Sequence, residues 1–121
     1  MTTDLKLFAL DVMDAVVSSP SGGSLSLSGK VPSEGYMVGG VSWSLVAHKE
    51  YIDVYTVMDF LTAHATILNW DGMYVGWWEY KGKVHFDIAE NFKGRDLAYS
   101  MGRSRGEIAV WDVVNQTEHV L

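Results

Sequence analysis

The stretch that decides the fold runs from Gly72 to Val113 and reads GMYVGWWEYKGKVHFDIAENFKGRDLAYSMGRSRGEIAVWDV. Two apolar, aromatic-rich runs, Met73–Tyr80 and Lys83–Ala89, flank a Lys-Gly turn, which is the pattern of a β-hairpin. A short helical segment and a third apolar run, Ile108–Val114, follow. The order strand, helix, strand favours a right-handed crossover between parallel strands.

Outside this stretch the apolar spacing predicts two more helices. Apolar residues recur every three or four positions over Leu5–Val16 and again over Val54–Leu68. Thr3 is the expected N-cap of the first helix and Asp53 that of the second. A third helix is expected from Lys93 to Arg105.

Two segments between the first two helices read as strands. Ser24–Ser28 alternates between apolar and polar residues, and Tyr36–Ser44 follows a Pro- and Gly-containing turn. The two strands are expected to pair or to be neighbours. The fold class is therefore α+β, a single domain over residues 1–121 with a mixed, twisted sheet of about five to six strands and about three helices on one face. The predicted core residues are Leu61, Val84, Phe86, Ile88, Leu97, Ile108 and Val110.

Composition limits the classes of protein that this chain can belong to. The 121 residues are 48% hydrophobic and contain no cysteine, which excludes disulfides, thiolate nucleophiles and zinc ribbons. The N-terminal apolar run contains acidic residues and lacks the basic start of a signal peptide. No apolar stretch approaches the roughly 20 residues of a membrane helix, so we expect a cytoplasmic protein with no membrane partner.

The charge is unevenly distributed. The net charge is −6, yet six of the nine basic residues lie between Lys81 and Arg105. An acidic chain repels nucleic acid at long range, so a nucleic-acid site would have to be local to that basic segment. Aromatic and basic residues alternate over Trp77–Lys83, which resembles a stacking platform for single strands but is also ordinary sheet packing.

Two aspartates are candidates for a chemical site. Asp87 and Asp112 stand near the ends of two strands expected to run parallel, where side chains converge. A carboxylate pair there could bind a divalent cation or divide acid and base roles. The alternative is that each aspartate accepts hydrogen bonds in the turn that follows its strand.

Histidine and serine do not form a recognisable motif. The four histidines, His48, His64, His85 and His119, have no metal-ligand spacing, and His64 is expected on the solvent side of its helix. Ser42, Ser44, Ser100 and Ser104 lack a Gly-x-Ser-x-Gly context. We therefore expect no catalytic residue, no metal, no cofactor and no enzymatic activity.

The Trp77-Trp78 pair provides a different clue. Successive side chains of a strand point to opposite faces, so only one of the two can face the core of Val84, Phe86 and Ile88. Trp77 is expected to be the exposed one, unless the first helix or a partner covers it. An exposed Trp beside Arg is typical of a binding hot spot. The predicted binding residues are Trp77, Arg95, Arg103 and Arg105, although cations in the last turn of a helix also complement its dipole.

Three blocks resemble a known group of proteins. They are GGSLSLSGKVPSEGYMVGG (Gly22–Gly40), YVGWWEYKGKVHFDIAEN (Tyr74–Asn91) and DLAYSMGRSRGEIAVWDV (Asp96–Val113). Together they resemble small, uncharacterised single-domain proteins encoded by actinobacterial phages and integrated mobile elements. A Gln or Asn-Gln often precedes the last strand in that group, whereas Arg105-Gly106-Glu107 stands here. The resemblance implies a mobile-element origin and no particular activity.

The sequence thus favours a non-enzymatic binding protein of phage or mobile-element origin that contacts a host or phage protein in the host cytoplasm. The oligomeric state is not determined. Two alternatives stay open at this point. One is a small metal-binding or hydrolytic domain that uses Asp87 and Asp112. The other, less favoured, is a nucleic-acid binder that uses the basic segment Lys81–Arg105.

Overall fold

The computed structural model describes residues 4–121. It contains four helices, α1 (Leu5–Ser18), α2 (Val54–Ala63), α3 (Ala65–Leu68) and α4 (Arg95–Ser104). It also contains seven strands: β1 (Gly23–Leu25), β2 (Tyr36–Val38), β3 (Leu45–His48), β4 (Met73–Tyr80), β5 (Lys83–Phe92), β6 (Ala109–Asp112) and β7 (Thr117–Val120). The α+β prediction is confirmed. No helix within the described range is long and apolar enough to cross a membrane.

The helices begin where capping side chains satisfy their first N–H groups. Asp4 accepts hydrogen bonds from the backbone N–H groups of Lys6 and Leu7, and so caps α1. The expected cap, Thr3, lies outside the described residues. Asp53 caps α2 as predicted, by accepting from Thr56 N. The predicted Val54–Leu68 helix is divided into α2 and α3 by His64.

The β4–β5 hairpin is confirmed, with a two-residue turn. Lys81 and Gly82 have φ angles of 49° and 75°, both left-handed, between the paired residues Tyr80 and Lys83. Two central residues with positive φ are the mark of a type I′ turn, whose twist matches that of the flanking strands.

The topology differs from the expected parallel crossover. The strand order is β1-β4-β5-β2-β6-β7, with β3 also on β5, and every pair is antiparallel. Strand β2 lies between β5 and β6, so those two strands run in the same direction without touching. The expected pairing of the first two strands is also wrong, because β1 pairs with β4. Strands β1 and β2 precede the hairpin in the chain and supply antiparallel partners for β4, β5 and β6. The order of segments in the sequence does not reveal these pairings.

All four helices pack on one face of the sheet. The main core joins residues of α1, α2 and α3 to the side chains of Val84, Phe86 and Ile88. A smaller core places Ala98 of α4 against Val38 and Val110, on the same face. This agrees with the prediction of helices on one face.

Five of the seven predicted core residues are buried: Leu61, Val84, Phe86, Ile88 and Val110. The prediction is wrong for Ile108, which is 83% exposed, and for Leu97, which is 56% exposed. Ile108 precedes β6 and lies outside the helix-covered region. In the short helix α4, Ala98 rather than Leu97 faces the sheet, because residues adjacent in sequence lie on different sides of a helix.

Candidate binding face

The opposite face of the sheet, which we call the open face, has no helix packed on it within residues 4–121. Alternation along the strands and the register between them place one set of side chains there. That set includes Ser24, Met37, Val46, His48, Tyr74, Trp78, Tyr80, Lys83, His85, Asp87, Ala89, Asn91, Ala109, Trp111 and Glu118. At one end Tyr74 and Val113 pack over Met37 and Ala89, and the rest of the face is more accessible.

Large aromatic side chains stand at the margins of the open face. Trp78 is 45% exposed, Tyr80 55% and Trp111 38%. The Trp78 ring stacks on His85 across the hairpin, with centroids 4.0 Å apart, and lies 6.1 Å from the ring of Tyr80. The cross-strand stack on His85 holds Trp78 in place, and its ring still presents apolar surface to solvent.

Two carboxylates meet near the middle of the open face, above glycines. A Cβ on Gly76 would lie 2.6 Å from Asp87 Oδ1. A Cβ on Gly39 would lie 2.5 Å from Glu107 Oε1 and would also collide with Asp87 Oδ2. A side chain at either position would displace these carboxylates, which converge on one small region above the glycines.

The surroundings of Asp87 disfavour the ionised form of its carboxyl group. Burial and, to a smaller extent, the Glu107 carboxylate raise the pKa of Asp87 from 3.8 to about 6. Neither carboxylate forms a salt bridge with a cation of residues 4–121. In that part of the chain no three His, Asp or Glu side chains are placed to hold a metal ion. The pair can accept hydrogen bonds from a cation, or hold a proton.

Asp87 and Asp112 do not form a common site. Asp112 pairs with Tyr36 on the helix-covered face, whereas Asp87 lies on the open face. Asp112 accepts hydrogen bonds from Asn115 N at 3.1 Å and from Asn115 Nδ2 at 2.8 Å, which lower its pKa. Asp112 thus accepts hydrogen bonds in the turn that follows its strand, as the alternative to a chemical site predicted. Its Oδ2 also lies 3.1 Å from His119 Nε2.

The prediction that Trp77 is exposed is wrong, and Trp78 is the exposed member of the pair. Trp77 is only 5% exposed and packs in the main core, and its Nε1–H donates to Ser19 O at 3.0 Å. The end of α1 therefore covers it, which was the expected alternative. Trp77 shares its face with Met73 and Val75, which are buried in the same main core.

The three predicted arginines do not join a common surface with Trp77. Arg105 has a side chain only 15% exposed, which bonds Glu90 and donates to Val38 O. Arg103 lies over the ring of Tyr99, and exposed Arg95 contacts Asp96. The predicted site of Trp77, Arg95, Arg103 and Arg105 is therefore not assembled.

The basic segment Lys81–Arg105 is divided into two groups. Lys81 and Lys83 lie at the hairpin turn, whereas the other four bases follow the far end of β5. A ten-residue strand spans about 30 Å, so the two groups are far apart. Lys93 also pairs with Glu34 at 2.9 Å. No continuous basic stripe for nucleic acid arises from this arrangement.

Two histidines form polar pairs that no spacing in the sequence predicts. His64 was expected on the solvent side of its helix, but it is 1% exposed and bonds Ser42 Oγ at 3.0 Å. His119 connects Asp112 to the hydroxyl of Tyr99. No local spacing signals the first pair, because its two residues are 22 positions apart and meet only through the fold.

No protein-family model, curated protein or solved structure matches this chain.

Proposed function

We propose that this chain is a binding protein and that its open face binds a protein partner through an arginine or lysine side chain flanked by apolar residues. The observation that carries the proposal is the exposure of Trp78, Tyr80 and Trp111 on a sheet face with no helix packed on it in residues 4–121. Exposed, positioned aromatic groups of this kind are typical of protein-binding hot spots.

Charge complementarity supports a cationic group of the partner. Asp87 and Glu107 lie near the middle of the face, and neither forms a salt bridge with another residue of 4–121. A guanidinium or ammonium group would lower the repulsion between the two carboxylates and stack on nearby aromatic rings. The net charge of −6 would also accelerate the encounter with a basic partner.

The same charges disfavour the other occupants. A second copy of this chain would bring another Asp87–Glu107 pair towards the first, and like charges that are buried together oppose binding. A nucleic acid would approach carboxylates rather than the divided basic groups. A hydrolytic site on Asp87 and Asp112 is incompatible with their positions on opposite faces. With the resemblance to phage proteins, we propose that the partner is a host or phage protein.

A displayed library of random peptides tests the proposal without a known partner. The library is selected against the wild-type protein, and the affinities of enriched peptides are then measured for single variants. We expect enriched peptides to combine Arg or Lys with apolar residues. We expect Trp78→Ala and Tyr80→Ala to weaken binding about tenfold or more, which corresponds to about 1.4 kcal/mol.

Tyr55→Ala is the matched control, because Tyr55 is similarly exposed at 61% but lies on α2 at the helix side. Asp87→Asn with Glu107→Gln should also weaken the binding, and added salt should reduce what the carboxylates contribute. Peptides that bind all variants equally, or that Tyr55→Ala alone weakens, would contradict the proposal. If sedimentation analysis shows a dimer, and Trp78→Ala dissociates it, the occupant of the open face is a second copy of this chain and not a basic partner.

A further inference from the structure

His64 lies between α2 and α3, and both of its ring nitrogens make hydrogen bonds. Nδ1 lies 2.8 Å from the carbonyl oxygen of Phe60, and Nε2 lies 3.0 Å from Ser42 Oγ. Its side chain is almost completely buried, with 1% of the residue exposed. The imidazole is therefore held in one orientation by two partners on different segments of the chain.

The carbonyl partner determines where the proton lies on neutral His64. A carbonyl oxygen only accepts, so Nδ1 must carry the hydrogen that is donated to Phe60 O. The lone pair of Nε2 then faces Ser42, and the serine hydroxyl donates to it. The Ser42 hydroxyl thus bonds to His64, and the Phe60 carbonyl orients the histidine ring. Serine nucleophiles are activated by a histidine that a third group orients in this way.

The surroundings of Ser42 supply two further requirements of such a site. Ser42 is only partly buried, as the approach of a reactant requires, and the ring of Trp43 lies 4.4 Å from that of His64. The backbone N–H groups of Ser42, Trp43 and Ser44 form no backbone hydrogen bond within residues 4–121. Free N–H groups next to a nucleophile can stabilise the oxyanion that forms on attack.

We propose that Ser42 is a nucleophile, activated by His64, that is acylated by small carboxylic esters. As Oγ attacks the ester carbonyl carbon, the Oγ–H proton passes to His64 Nε2 and the carbonyl oxygen becomes an oxyanion. When the oxyanion collapses, the bond to the alkoxy group breaks, and the leaving alkoxide takes the proton from Nε2. The products are an acyl-Ser42 ester and a free alcohol.

This site goes beyond the proposed binding function and is independent of it. Ser42 and His64 lie beside the helix layer, whereas the binding face is on the other side of the sheet. Substitutions on the open face therefore leave the serine unchanged, and the two proposals can fail separately.

The test is labelling of the folded full-length chain with a fluorophosphonate probe, followed by intact mass measurement and peptide mapping. The probe phosphonylates an activated serine hydroxyl and releases fluoride. We expect one adduct, on Ser42, and none on Ser42→Ala. Ser44→Ala, the matched control, should be labelled at the wild-type rate, because Ser44 is exposed and makes no hydrogen bond to a histidine within residues 4–121. p-Nitrophenyl acetate should likewise release p-nitrophenol from the wild-type protein and not from Ser42→Ala.

His64→Gln tests the role of the base, and we expect it to slow labelling about 100-fold or more. Because this buried substitution could unfold the chain, the wild-type protein is also labelled in concentrated urea, where the Ser42 adduct should disappear. The proposal is overturned if the folded wild-type protein gives no Ser42 adduct. It is equally overturned if Ser42 reacts no faster than Ser44, or if urea leaves the labelling unchanged.

Discussion

The rings of Trp78 and His85 lie parallel on the open face, with centroids 4.0 Å apart and planes inclined by 8°. The two residues are directly opposite each other in the β4–β5 hairpin, so the stack follows from the register of the strands. It holds Trp78 in one orientation while almost half of the side chain is accessible. A side chain already ordered before binding loses less entropy when a partner covers it.

Truncation of the two neighbouring tryptophans should destabilise the protein to different extents. Trp77→Ala removes a buried indole and its bond to Ser19 O, and should lower the free energy of unfolding by about 3–5 kcal/mol. Trp78→Ala removes an indole that is 45% exposed and stacks on His85 at the surface, so it should cost less, about 1 kcal/mol. Denaturant melts of both variants provide the measurement. Similar losses for the two would contradict the assignment of Trp77 to the core and Trp78 to the open face, and a larger loss for Trp78→Ala would mean that the faces are reversed.

Phe86 is the centre of the main core, and its truncation should be among the most destabilising substitutions. It is 1% exposed and pairs across the strands with Trp77 and Leu45. Phe86→Ala should cost about 3–5 kcal/mol. Ile108→Ala, at an 83% exposed position, is the control and should change the free energy of unfolding by no more than about 0.5 kcal/mol. A loss below 1 kcal/mol for Phe86→Ala would place it at the periphery.

Asp87 should make the protein less stable as the pH rises through 6. Its folded-state pKa of about 6 lies above the ordinary value of 3.8, so the folded chain holds this proton more tightly than the unfolded chain. Stability from this group is therefore present below pH 4 and is lost between pH 4 and about 6. The free energy of unfolding should fall by roughly 2 kcal/mol over this range, since a pKa unit corresponds to about 1.4 kcal/mol and partial solvation of the carboxyl reduces the effect.

Asp87→Asn should accordingly raise the melting temperature at pH 7.5 and have little effect at pH 4. Glu107→Gln removes the nearby negative charge and should shift the pKa of Asp87 downwards, measured by NMR titration of the carboxyl carbon. Destabilisation by Asp87→Asn at pH 7.5 would show that the charged carboxylate has a stabilising partner.

Asp112 should show the reverse dependence on pH. Hydrogen bonds from Asn115 lower its folded-state pKa, so its contribution is present above the ordinary carboxyl pKa and is lost as the pH falls through the folded value. Asp112→Asn should lower the melting temperature at pH 7 more than Asp96→Asn, because Asp96 is fully exposed. Equal melting temperatures for the two variants would exclude a role of the Asp112 turn in stability.

Local pattern was enough to predict most helices and the hairpin. The spacing of apolar residues in Leu5–Ser18 and Val54–Ala63, and the Lys-Gly turn between two alternating runs, are properties of neighbouring residues. Alternation also separated Trp77 from Trp78 correctly. It could not decide which face the helices cover, since that depends on where α1 and α2 pack and not on β4 itself.

The pairing of distant strands was beyond the reach of local pattern. Strand β2 has only three residues, and its insertion between β5 and β6 turns an expected parallel pair into two antiparallel ones. The same insertion separates the strands of Asp87 and Asp112, which also lie on opposite faces, and so the site expected from them does not form.

The amino-acid sequence by itself determined the class of fold, the hairpin and the central core residues, because these depend on periodicity and turn chemistry within short segments. Only the tertiary structure decided which tryptophan is exposed, that Asp87 converges with Glu107, and that Ser42 meets His64. Each of these is a contact between residues 10 or more positions apart in the chain or a choice between two faces. The physical reason is that such contacts depend on the packing of whole elements, which no single segment encodes.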